Sequence, residues 1–82
     1  MNLKCVKRKT LLAVLKNMGF TRLGVGQAGH DLFEHKLTQR QISASLHTAD
    51  MIHMGKLYAI GMEMESKGIA TRREFIENLR NA

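Results

Sequence analysis

The chain has 82 residues, with thirteen Lys and Arg against seven Asp and Glu, a formal charge of +6 and a pI near 10.0. That length holds one hydrophobic core, so residues 1–82 read as a single domain, and 44% apolar residues excludes a disordered segment. The cationic excess points to a polyanion, nucleic acid above all, with a merely well-solvated surface as the alternative.

The basic residues Lys4, Lys7, Arg8 and Lys9 precede the apolar run Leu11 to Leu15, which Lys16 ends after five residues. A secretory segment needs about seven to fifteen apolar residues and a membrane span about twenty. The expectation is a soluble, cytoplasmic protein, in keeping with the lone Cys5, which excludes an internal disulfide and suits a reducing compartment. Leu11, Leu12, Leu15 and Met18 share one side of a helix over about residues 8–18, closed by Asn17 and Gly19. Residues 21–26 alternate as a strand, and Gly24, Gly26 and Gly29 then mark a turn or a close backbone approach. His30 to His35 reads as a second strand and Lys36 to Arg40 as a polar turn. From Gln41 to Leu46, Ile42, Ala44 and Leu46 alternate with polar residues as a half-buried third strand.

Near Asp50 the period becomes helical, with Met54, Leu57, Ile60, Gly61 and Met64 on one stripe and Gly68 beyond it. Thr71-Arg72-Arg73-Glu74 has the form of a capping box that opens a last helix with Phe75, Ile76 and Leu79 facing inward. Met54 and Met64 suit the core. Met51 and Met62 fall off the stripe, where methionine serves as core filler or as an adaptable partner groove. The expected fold class is α+β, in the order α-β-β-β-α with an extra short C-terminal helix. One three-stranded antiparallel sheet carries the helices on one face, the layout of a double-stranded-RNA-binding domain (dsRBD-like).

Several motifs in succession resemble the HicA family of toxins. Asn17-Met18-Gly19-Phe20 resembles the end of that family's first helix. Ala28-Gly29-His30-Asp31-Leu32-Phe33-Glu34-His35 resembles its glycine–histidine segment, with an aromatic and a second histidine following. Gly55-Lys56-Leu57 resembles the opening of its second helix, and Gly68-Ile69 with Thr71 to Leu79 its C-terminal helix. The chain differs at Gly29, where the family often has serine, at Ala28, where it has glycine, and at Ser45-Leu46-His47-Thr48, which lacks the family's proline. The second helix is also three residues longer than the family leads one to expect.

The resemblance implies the toxin of a type II toxin–antitoxin pair. Such a protein is an endoribonuclease (mRNA interferase) that cuts mRNA with one histidine and without metal or any other cofactor, and its partner is a HicB-like antitoxin. His30 matches the family's catalytic position. An imidazole titrates near pH ~6.5, so at neutral pH it both accepts and gives a proton. RNA brings its own nucleophile, the 2′-hydroxyl, and positive groups near the phosphate assist. The other reading of His30 is a strand residue with a structural hydrogen bond. His35 and His47 are auxiliary candidates, to orient RNA or to protonate the leaving oxygen, or else plain polar strand residues. A zinc site from His30, His35, His47 and His53 is opposed by the distant cysteine and the lack of an i,i+4 pair. Lys4, Lys7, Arg8, Lys9, Arg22 and Lys36 are candidate phosphate contacts, and Gly29 a point where the RNA backbone comes close. The rivals are a non-catalytic RNA-binding domain on the same scaffold and a protein whose basic face meets an acidic partner.

Overall fold

Leu11, Val14 and Leu15 recur at helical spacing and are buried together on α1, Arg8–Asn17, in the computed structural model, which describes residues 4–26, 29–46 and 50–82. The chain reverses at Gly19, whose φ of 94° is open to glycine and strained for other residues. It then forms β2 (Phe20–Val25), β3 (Asp31–His35) and β4 (Gln41–Ala44), an antiparallel sheet in the order β2-β3-β4. Phe20 faces His35, Arg22 faces Phe33, and Phe33 faces Ile42, with a bulge between Arg22 and Gly24. The period-two alternation read for the third strand holds in β4, and β3 follows it: Asp31, Phe33, His35, Ile42 and Ala44 are buried, while Leu32, Glu34 and Ser43 are only partly so. The alternation expected over residues 21–26 does not hold in β2, where Leu23 at the bulge and Val25 beyond it are both exposed.

Two helices follow, α2 (Met54–Ser66) and α3 (Arg72–Arg80). They pack closely because Gly61 has no side chain: a Cβ there would lie 2.9 Å from Arg72 Cγ and 3.3 Å from Phe75 Cδ2. Leu57, Met64 and Phe75 are fully enclosed, whereas Met51 and Met62 are exposed. Both bonds of the capping box are present: Glu74 N–H donates to Thr71 Oγ1 at 3.0 Å, and Thr71 N–H to Glu74 Oε1 at 3.2 Å. Thr71→Ala is expected to cost about 1 kcal/mol, read as a lower midpoint in urea unfolding with an unchanged slope.

The expected order lacked two strands. β1 (Cys5–Lys7) pairs antiparallel with β5 (Met51–His53), matching Cys5 to His53 and Val6 to Ile52, as a separate two-stranded sheet. Part of the basic N-terminal run is therefore a strand with Val6 in the core. The third strand is also shorter than expected. It ends at Ala44, and Leu46, still buried, donates its N–H to Ala44 O in a turn. Among the described residues no helix is long and apolar enough to cross a membrane.

Candidate nucleic-acid interface

α1 and β2 are joined through Gly19, where the chain takes a positive φ, and the two elements pack against each other. Between them is a groove of 380 Å³ lined by Leu12, Leu15, Phe20 and Phe33, with Lys16, Arg22 and Lys36 around it. A second groove, of 560 Å³, is lined by Lys7, Arg8, Lys9, Leu12, Asp50 and Met51. Leu12 belongs to both. The two grooves thus form one strip along the outer side of α1, where Lys9 and Lys16 stand seven residues apart on the same face.

The strip gathers five of the six cations singled out from sequence: Lys7, Arg8, Lys9, Arg22 and Lys36. Lys4 stands apart. Its carbonyl accepts from Met54 N–H at 2.9 Å, so it lies beside the start of α2. Lys16 joins the set although the sequence showed it only as the residue that ends an apolar run. Its relevance comes from Arg22 and Lys36, which the fold brings to it. The first turn of α1 contains no acid, and Lys7 provides no side-chain cap. Cations at a helix N-terminus oppose the macrodipole at a cost of about 0.3–1 kcal/mol each, and together with that dipole they concentrate positive potential there.

The exposed side of the three-stranded sheet is different. Thr21, Leu32, Glu34, Gln41 and Ser43 occupy it, and their only charge is the carboxylate of Glu34. The positive surface therefore follows α1 and the β2 edge rather than the exposed face of the sheet.

His30 sits where the β2–β3 turn returns to the sheet. Gly29, with φ 73°, leads into it, and Gly26 N–H donates to His30 O at 2.7 Å to close the turn. Its side chain is half-buried and outside the core, and no described residue hydrogen-bonds the ring. The next residue, Asp31, is 4% exposed, and its Oδ1 accepts from Arg22 Nε at 3.0 Å and from the same guanidinium's terminal nitrogen. That pair ties the start of β3 to β2 and sets the position of the backbone that carries His30. On the other side, Ala44 pairs with Asp31, and the carbonyl of the following Ser45 accepts from Lys56 Nζ.

Arg22 is thus already engaged, with about half of its side chain still exposed. Arg22→Ala is expected to destabilise the domain by about 1–3 kcal/mol, because the buried Asp31 carboxylate loses its partner. Removing both charges in Arg22→Ala/Asp31→Ala should cost less than the sum of the two single changes, as a double-mutant cycle in denaturant will show.

His35 does not join His30. It is 8% exposed, tilted against Phe20 at 5.1 Å between ring centroids, and engaged at both nitrogens. Nε2 lies 3.2 Å from Met18 O, which can only accept, so Nε2 carries the proton. Nδ1 then accepts from Thr38 N–H at 3.4 Å and lies 3.1 Å from Thr38 Oγ1. The ring pins the α1–β2 reversal to the β3–β4 turn, a structural task that corrects its reading as an auxiliary to catalysis. His47 and Ala28 lie outside the described residues. Among those described, no three His, Cys, Asp or Glu side chains converge on a point that could hold a metal. No family model, no curated protein and no solved structure matches this chain.

Proposed function

We propose that this chain is a HicA-type endoribonuclease, a cytoplasmic toxin that cuts mRNA with His30 as general base and then general acid, without a metal. The observation that carries the reading is the setting of His30. The imidazole lies outside the core with no partner among the described residues, on backbone fixed by the Arg22–Asp31 pair. A histidine with a purely structural role would resemble His35, buried and bonded at both nitrogens. The run α1-β2-β3-β4-α2 supports a dsRBD-like scaffold, to which β1, β5 and α3 add a second small sheet and a closing helix.

The chemistry then needs few parts. The imidazole takes the proton of a ribose 2′-hydroxyl, and the freed oxygen attacks the adjacent phosphorus. The 5′-oxygen of the next nucleotide leaves in line and receives the proton from the imidazolium. The products are a 2′,3′-cyclic phosphate and a 5′-hydroxyl. Proton transfer of this kind is worth about 10²–10⁴-fold. The α1 strip supplies the charge that holds the backbone, and each phosphate contact made releases a counterion. The protein partner of this reading is a HicB-like antitoxin that covers His30 and the strip.

A second reading is favoured by one feature. The strip runs along α1, so it can hold RNA without any contribution from His30. In that case the chain is a non-catalytic RNA-binding domain. The two readings separate on incubation of the purified protein with unstructured RNA in excess chelator. Cleavage that is absent from His30→Ala supports the nuclease. Tight, salt-sensitive binding with intact RNA supports the binding domain.

A further inference from the structure

We infer that the groove between α1 and β2 is a subsite for a single unstacked nucleobase, with the flanking phosphates on Lys16 and Lys36, and that the RNA this chain takes is single-stranded at that point. The inference rests on the RNA reading above but does not need cleavage. Leu12, Phe20 and Phe33 give the groove an apolar floor. Lys16 from α1, Arg22 from β2 and Lys36 from the β3–β4 turn stand around it, so the cations come from three separate elements. A volume of 380 Å³ falls at the small end of ligand pockets and suits one ring with its sugar. Arg22 adds a planar guanidinium whose edge is held by Asp31 and whose side chain is 49% exposed, a surface on which a base can stack.

The other occupant of such a place is an acidic peptide added as a strand along the free edge of β2. The bulge between Arg22 and Gly24 argues against it, because it breaks the regular row of backbone donors and acceptors that an added strand needs. A duplex is disfavoured for a different reason: its bases are stacked and paired, and an apolar floor has nothing to take from it.

The test uses the His30→Ala chain, so that the RNA survives, with a short labelled single strand, the same strand without its bases, and the duplex. Loss of one stacked base is expected to weaken binding about tenfold, so the abasic strand and the duplex should both bind less tightly than the normal strand. Base protons of the bound strand should show nuclear Overhauser contacts to the Leu12 methyl groups. Lys16→Gln/Lys36→Gln, two exposed changes, should lower affinity for the normal and the abasic strand alike and reduce the salt slope by about 1.4. Equal affinity for the normal and abasic strands overturns the inference, as does a Leu12 response to an acidic peptide and not to RNA. A wild-type chain that cuts RNA but ignores the loss of bases leaves the nuclease reading standing without the subsite. A chain that discriminates but never cuts leaves the subsite without the nuclease.

Discussion

His30→Ala is expected to lower RNA cleavage by about 10²–10⁴-fold while RNA affinity and unfolding midpoint stay close to those of the wild type. The separation of effects follows from where the ring lies. It is half-buried at a turn, outside the apolar cluster, and no described residue bonds to it, so its removal opens no cavity in the core. The backbone that carries it is held by other groups: the Gly26–His30 bond, the Arg22–Asp31 pair and the Asp31–Ala44 register. His35→Ala should do the reverse. It removes a buried ring that joins Met18 to Thr38, so stability falls while cleavage by the remaining folded protein persists. Single-turnover cleavage and urea unfolding on the two variants will show whether the two histidines divide in this way. Equal loss of cleavage in both, with the fold intact, would contradict the division.

Phe75→Ala carries the largest expected cost in stability, about 3–5 kcal/mol. Phe75 is completely enclosed, on the stripe of α3 with Ile76 and Leu79, and its ring faces Gly61 of α2. A chain of 82 residues has a total stability of roughly 4–12 kcal/mol, so the change removes a large share of it. In a domain of this size each kcal/mol moves the melting temperature by roughly 4–8 °C, so a fall of more than about 12 °C is expected in a thermal scan. A loss below about 1 kcal/mol would mean that α3 does not close the core as described. Because α3 packs against α2 and α1 and is far from His30 in the chain, any residual folded Phe75→Ala protein should cut RNA at the wild-type rate.

The parts of the fold written in local patterns were legible in the sequence. The stripe of Leu11 and Leu15 and the glycine after Met18 define α1, and the alternation of Ile42 and Ala44 defines β4. Thr71 and Glu74 mark the start of α3 by a bond pattern confined to four residues. β1 and β5 were not legible, because each is three residues long and their pairing joins Cys5 to His53 across most of the chain. Cys5-Val6-Lys7 reads locally as a charged lead-in, and Met51-Ile52-His53 runs straight into a helix with no turn residue between.

The site divides along the same line. Strand parity alone puts His35 on the side of Phe33, and that is where it lies. Of the groups that engage it, Thr38 lies three residues on in the β3–β4 turn, but Met18 comes from seventeen residues away. Lys16 gave no sign in the sequence, since its role depends on Arg22 and Lys36 arriving beside it from other elements. The charge of the chain was plain from composition, but its distribution was not. Glu34 is the one charged residue among the described strand positions of the exposed sheet face, and the basic strip follows α1.

The most direct measurement concerns the substrate. A wild-type chain is given RNA in chelator, and the same strand with hydrogen in place of every 2′-hydroxyl, and the ends of the fragments are identified by mass. Both strands should bind, the first alone should be cut, and its fragments should end in 2′,3′-cyclic phosphate and 5′-hydroxyl. Cleavage of the deoxy strand, or fragments bearing 5′-phosphate, would contradict the nuclease reading.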